Sequence, residues 1–358
     1  MIIYLLNIVI LTIAYISSRE KEVRYAKDKY CSGNLFFCII ASLNWILLSG
    51  LRHISIGADT EAYKNMYEQI ANTSWTNILN MFKQRYIQNM ISTKDPGYSL
   101  IEKCFQQISL NYRIWLIAIA ILFFASMGIW LYRYSSNIYF SYILFSCLFY
   151  SFFAITGHRQ TIATALVVMI GTQLIEKRKL IPFLILIVIA YTIHASAICF
   201  LPFYWLSRIP INKVTLRIYW IVIVIAFIGR YRFLNMLQLI VGYDNYRQDE
   251  SARVGIFLYL LVGVALILTI FYDYFEHNSK MIMCINALMI SCFFSSLLLI
   301  SPAMMRVVQY YSVFLMILLP EFLKIVKREQ QKMTLVIIVG VLCILLIRNN
   351  PTYRFFWQ

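Results

Sequence analysis

The sequence predicts an all-α polytopic membrane protein: a single integral membrane domain over residues 1–358, with about eleven to twelve transmembrane helices. Three observations carry this. Of 358 residues, 61% are hydrophobic and only 13% charged, where a soluble domain carries about a quarter charged and under half apolar. Mean hydropathy is +0.70. Apolar runs long enough to cross a bilayer, which takes about 20 residues and at least about 17, recur along almost the whole chain. A soluble enzyme, a disordered tail and a disulfide-stapled secreted domain are excluded.

The candidate spans are 1–17, 35–51, 113–132, 138–156, 159–175, 181–206, 214–229, 254–272, 281–300, 303–320 and 333–348. The first lacks a basic leader and a small-residue cleavage site, so it reads as a retained span. Cysteines lie mostly in or beside these spans without a CxxC pair, and no disulfide framework, zinc spacing or phosphate-cradling glycine loop is visible. No cofactor or metal is expected. The chain has 32 Lys+Arg against 16 Asp+Glu. In a membrane protein that excess marks cytoplasmic loops and anionic headgroups as neighbours, not nucleic acid.

Basic clusters set the orientation. They lie at 18–34 (Arg19, Lys21, Arg24, Lys27, Lys29), at Lys177-Arg178-Lys179, and at Lys324, Lys327, Arg328 and Lys332. Counting one crossing per run would put the last cluster on the wrong side, so an extra reversal is needed between 180 and 253. Its best place is Thr192-Ile193-His194-Ala195-Ser196, in the middle of a 26-residue run too long for one span and too short for two. A broken or re-entrant helix near His194 fits, because broken helices at membrane depth line polar cavities. A re-entrant piece in 230–253 is the other possibility. With the reversal, residues 52–112 form a large helical extracytoplasmic loop and 230–253 a second one. The 52–112 segment has six Lys/Arg (Arg52, Lys64, Lys83, Arg85, Lys94, Lys103) and five acids (Asp59, Glu61, Glu68, Asp95, Glu102). This balance suits carbohydrate better than a polyanion.

Residues able to carry chemistry collect on that face. Arg52, Asp59 and Tyr63 follow the second span, although Arg52 could snorkel to headgroups and Asp59 could cap a helix. Asp95 stands before Pro96-Gly97, an ordinary helix start. His158 and Arg159 occupy an outward turn, where an interfacial arginine is as well explained by lipid phosphate as by substrate. His194 is ionisable inside an apolar run, a functional candidate that a backbone-bonded core histidine would equally explain. Arg306 sits about one turn inside a span without a carboxylate nearby in sequence, and so needs an anion from elsewhere. Taken together, three arginines, the histidines and two carboxylates converging on one face favour a single anion-binding site. Arginine holds phosphate oxygens bidentately and keeps its charge when desolvated.

The order Arg52…Gly57-x-Asp59…Tyr63, Asp95-Pro96-Gly97-Tyr98, Arg159-Gln160-x-x-Ala163, His194-x-Ser196-Ala197 and Arg306 before Tyr310-Tyr311 resembles the EpsG family, Wzy-like polymerases of capsular and exopolysaccharide repeat units. Two positions differ from the usual pattern: His158 stands where a small residue is expected, and Asp95 where glutamate is frequent. The resemblance implies a metal-independent glycosyltransferase, multi-pass in a bacterial cytoplasmic membrane with its active site facing outside. It would polymerise undecaprenyl-diphosphate-linked oligosaccharides among membrane lipids, with other polysaccharide export proteins as partners. The expected roles are His194 or Asp59 as base, Arg159, Arg306 and Arg52 as diphosphate ligands, with His158 beside them, and Asp95 and Tyr63 orienting sugars. A flippase or exporter of lipid-linked oligosaccharides is the alternative. It predicts symmetric halves, which the sequence does not display. An acyltransferase is less well supported, because His194 has no catalytic partner in its own segment.

Overall fold

A computed structural model describes residues 1–24, 33–88, 90, 95–241, 256–275, 278–349 and 351–358. Among them there is no strand; the one β-bridge joins Arg52 to Phe355. Helices α1 (Ile2–Arg24) and α2 (Gly33–Gly50) precede three shorter helices, α3 (Thr60–Ala71), α4 (Trp75–Tyr86) and α5 (Pro96–Phe105). Then come α6 (Tyr112–Tyr134), α7 (Ile138–Leu144), α8 (His158–Thr164) and α9 (Gly171–Glu176). The second half holds α10 (Leu180–Ile193), α11 (Phe203–Leu206), α12 (Lys213–Ile228), α13 (Arg230–Val241) and α14 (Ile256–Ile270). It ends with α15 (Ser279–Ser295), α16 (Met305–Ser312), α17 (Leu315–Phe322) and α18 (Gln331–Arg348).

Among the described residues five helices are long and apolar enough to cross a membrane, and up to seven if each of two bent pairs counts as one span. Of the bent pairs, α12 and α13 meet at 84° and the segments 302–312 and 315–325 at 59°. The runs 138–156 and 158–176 reach comparable length as α-helix interrupted by π turns. Outward faces are strongly apolar: Ile218, Ile221 and Ile225 of α12 and Val336, Ile337 and Ile344 of α18 are exposed. Lipid tails solvate such faces as well as protein does, so helix association relies on close packing of small residues. α2 and α6 illustrate it. A Cβ on Gly128 would lie 2.6 Å from Ser42 Oγ, and one on Gly50 2.8 Å from Ile117 Cγ1. Trp45 stacks on Phe124 beside them.

Cross-chain bonds define two ends of the bundle. At one end Arg133 pairs with Glu176 at 2.7 Å, Lys213 with Asp273 at 2.9 Å and Lys280 with Glu321 at 3.3 Å. Arg208 donates to Ile175 O there, and Tyr272 to Ile211 O. This is the basic end, and the cluster that begins at Lys324 shares it with Lys177–Lys179. At the other end Met1 meets Pro351, Tyr112 donates to Thr60 O, and Arg159 pairs with Asp95.

The chain reverses at His194, whose extended backbone (φ −154°, ψ 108°) separates α10 from a 3-10 turn over Ala195–Phe200. Phe183 packs on Tyr204 with ring centroids 5.3 Å apart, so the two limbs run antiparallel. The predicted broken helix is therefore a hairpin with both feet at the basic end and His194 at its tip. The other candidate reversal, in 230–253, falls partly outside the described residues (242–253). Its described part is α13, which meets α12 at 84°.

Among its described residues the 52–112 segment folds as three helices, α3 to α5. The C-terminal residues 351–358 return to Arg52, a contact no sequence pattern announced: His53 N donates to Arg354 O and Phe356 N to Leu51 O.

Candidate functional site

A cleft of about 340 Å³ opens at the end opposite the basic clusters. Asp59, Tyr63, Asp95, Arg159, His194 and Arg306 line it, together with Met66, Phe152 and Gln160. Six of the eight residues singled out from sequence thus share one cavity, although they come from the 52–112 segment and three separate helical regions. Arg52 and His158 do not line it.

Asp95 is the hub. It sits at the N-cap position of α5 in the left-handed region (φ 47°, ψ 57°), yet its side chain makes no capping bond. A non-glycine residue held there stores strain, as functional sites often do. Its Oδ2 accepts from Arg159 Nη1 at 2.9 Å, Oδ1 accepts from Ala195 N at 3.2 Å, and His194 Nδ1 lies 3.7 Å away. Burial disfavours ionisation here, but the adjoining His194 and Arg159 outweigh it and hold the carboxyl below the usual carboxylate range. Asp95 is therefore a positioning anion between the hairpin tip and α8. Gly97 permits this approach: a Cβ there would lie 2.1 Å from Thr192 Oγ1. The Asp-Pro-Gly pattern reads as a plain helix start, whereas its functional content is the close contact with α10.

Arg159 is clamped rather than free. Its guanidinium lies 5.4 Å from the ring centroids of both Tyr63 and Tyr98, and Nη2 contacts Met66 Sδ at 3.6 Å. Its Nε has no protein acceptor among the described residues. Arg306 faces the cleft from the first turn of α16, after the 3-10 turn at Pro302–Met304. Gln160 Nε2 bonds Arg306 O at 2.6 Å, and Ser196 and Tyr311 tie α16 to the hairpin through Tyr310 Oη at 3.2 Å and Cys199 O at 2.5 Å. Among the described residues no carboxylate pairs with Arg306. Sequence reasoning missed Gln160 in this role; its signal was the Arg159-Gln160 pair itself.

Asp59 occupies the N-cap position of α3 but makes no side-chain cap bond, which leaves its carboxylate on the cleft wall. The turn before it needs Gly57, whose φ is +100° and whose Cβ would lie 2.7 Å from Ile155 O. Tyr63, one turn along α3, stacks on His158 with centroids 4.4 Å apart and planes at 20°. Burial holds its phenol above the usual tyrosine range, so it is a neutral donor. His53 and Ser55 bond to each other outside this cleft.

Arg52 lies behind the wall. It is 3% exposed, and its Nη2 donates to His158 Nε2 at 2.7 Å while Nη1 contacts Ser49 O. Receiving that bond fixes His158 as a neutral acceptor at Nε2. The expected third diphosphate ligand is thus a buttress: Arg52 orients His158, and His158 backs Tyr63. Arginine in an apolar sequence signals buried charge without saying which side of a wall it serves.

Glu102, read from sequence only as one of five acids in the 52–112 segment, is fully buried on α5 below Tyr98, and burial pushes its carboxyl up to about 8. Among the described residues no three His, Cys, Asp or Glu side chains converge as metal ligands.

The arrangement offers two guanidiniums, an imidazole and two carboxylates around one cavity, which suits a substrate with an anionic group next to a reacting hydroxyl. No curated protein and no solved structure matches the chain. The EpsG family model matches residues 35–357. With nine-tenths of its length inside that match, the chain belongs to the EpsG family, the family of Wzy-like exopolysaccharide polymerases.

Proposed function

We propose that the cleft joins polyprenyl-diphosphate-linked oligosaccharide repeat units by glycosyl transfer. Membership of the EpsG family supports a polysaccharide polymerase; the substrate and the residue roles are our reading. The observation that carries it is the pairing of Arg159 and Arg306 with His194 and Asp59 around one cavity.

A hydroxyl on the acceptor unit attacks the anomeric carbon of the growing chain. The new glycosidic C–O bond forms as the bond to the lipid diphosphate breaks, and that electron pair leaves with the diphosphate. Arg159 and Arg306 neutralise the departing charge, the main electrostatic demand of this chemistry. The hydroxyl proton passes to His194 or Asp59. Asp95 orients the imidazole of His194, as a carboxylate does in acid–base relays, and holds Arg159 in place. Tyr63 and Gln160 position sugar hydroxyls and the first turn of α16.

The positive-inside rule supports a cytoplasmic basic end, and in our reading the cleft then opens on the outer face of a bacterial cytoplasmic membrane. Partner export proteins would meet the elongating chain there. The test is a vesicle reaction with purified protein and lipid-linked repeat units, without nucleotide sugar or ATP. A ladder of longer glycans is expected. Movement of the unit between leaflets without a ladder would overturn polymerisation in favour of transport.

A further inference from the structure

A second cavity, of about 220 Å³, lies at the basic end, far from the cleft along the hairpin. Arg178, Arg208, Lys280, Glu176, Tyr134 and Ser207 contribute to its wall. The acids near it are already engaged. Glu176 Oε2 accepts from Arg133 and from Tyr134 Oη, both at 2.7 Å, and Glu321 is shared between Lys280 and Lys324. Among the described residues, neither Arg178 nor Arg208 pairs with a carboxylate. Arg208 instead donates to Ile175 O at 2.8 Å and lies 4.5 Å over the Tyr204 ring, which fixes its guanidinium at the cavity.

The backbone supplies a second, independent observation. Arg178 has φ +55°, and Asp95 at the cleft is the only other described non-glycine residue with positive φ. The bonds Lys179 N to Leu174 O (2.8 Å) and Arg178 N to Ile175 O (3.0 Å) close the end of α9 in a pattern where glycine is the usual residue. Arginine stands where the backbone favours glycine, and the residue lines the cavity.

We propose that this cavity binds a phosphate group, carried by an anionic phospholipid headgroup or by a soluble phosphate, through Arg178 and Arg208 with Lys280 in support. Basic pockets between helices on the cytoplasmic side are suited to such headgroups. Arg178 stands two residues before α10, and Ser207 and Arg208 follow α11, so a bound phosphate ties together the two feet of the hairpin that carries His194. This inference rests on the fold alone and not on the reaction assigned to the cleft.

The full-length chain is tested in nanodiscs of phosphatidylcholine, with and without phosphatidylglycerol, and in detergent with inorganic phosphate. Melting temperature and native mass spectrometry are the readouts. Phosphatidylglycerol should raise the melting temperature of the wild type but not of Arg178→Gly/Arg208→Gln, with affinity about tenfold weaker or more in the variant, the loss expected for a charge-assisted hydrogen bond. A rise with inorganic phosphate alone, again lost in the variant, supports the site with a soluble ligand. Equal rises in both proteins, or none in the wild type, overturn it. In phosphatidylcholine alone, Arg178→Gly should melt no lower than the wild type; a lower value would show that the arginine serves the turn and not a ligand.

Discussion

Replacing Gly97 by alanine tests how tightly the cleft depends on the contact between α5 and α10. The new methyl carbon would sit 2.1 Å from Thr192 Oγ1, 2.7 Å from Thr192 Cβ and 2.8 Å from the Thr192 carbonyl carbon. Rotating the threonine side chain clears only the first of these. The backbone must still recede by about 0.7 Å to reach ordinary contact at 3.4 Å. That motion separates Asp95 from Ala195 N and His194, whose distances are already 3.2 and 3.7 Å. Overpacking of this kind costs about 1–3 kcal/mol, and misplacing catalytic groups by about an ångström costs up to about a hundredfold in rate. The vesicle ladder assay should therefore show a rate lower by about ten- to a hundredfold, with a modest drop in melting temperature. A wild-type rate at an unchanged melting temperature would refute the close-approach argument. A lowered melting temperature with a normal rate per folded molecule would show that Asp95 placement does not limit turnover.

Other outcomes follow from the same geometry. Asp95→Asn removes the anion between Arg159 and His194, and breaking a buried pair costs about 3–5 kcal/mol; melting temperature and ladder yield should fall together. Because the carboxyl of Asp95 is held below its ordinary range, its stabilisation is present above the usual carboxylate pKa of about 4 and is lost as pH falls below it. The variant should therefore show a weaker acid dependence of melting. Glu102 behaves oppositely. Its folded pKa is raised to about 8, so the native state keeps a proton that the unfolded chain releases, and stability declines as pH rises from about 4.5 to about 8. Glu102→Gln should flatten melting temperature against pH across that window; an unchanged slope would contradict its burial as a protonated acid. Arg52→Gln should lower the rate through His158 and Tyr63 while leaving affinity for lipid diphosphate within about twofold, a split read from KM and kcat.

The fold class was legible because a bilayer imposes composition and span length, and the hairpin because charge clusters must agree on one side. The cluster of Asp59, Tyr63, Asp95, Arg159, His194 and Arg306 was legible for a related reason: ionisable groups are costly in apolar surroundings, and their shared face is fixed by topology. What sequence could not reveal depends on tertiary contact. Asp95 in front of Pro96 has the pattern of a cap, and only the approach of α8 and of the hairpin tip turns it into the partner of Arg159 and His194. Arg52 has the same local pattern whether it faces substrate or props His158 from behind. The return of residues 351–358 to Arg52 joins segments some 300 residues apart, and nothing in either marks the other. Glu102 passes as one of five acids in a balanced loop until its burial below Tyr98 is known.

The central claim is that two cleft arginines, not three, hold the leaving diphosphate, and a direct binding measurement with polyprenyl diphosphate tests it. The purified protein should bind this sugar-free lipid, with affinity about tenfold weaker or more in Arg159→Ala and in Arg306→Ala. Unchanged affinity in both variants, at wild-type melting temperature, would contradict the account.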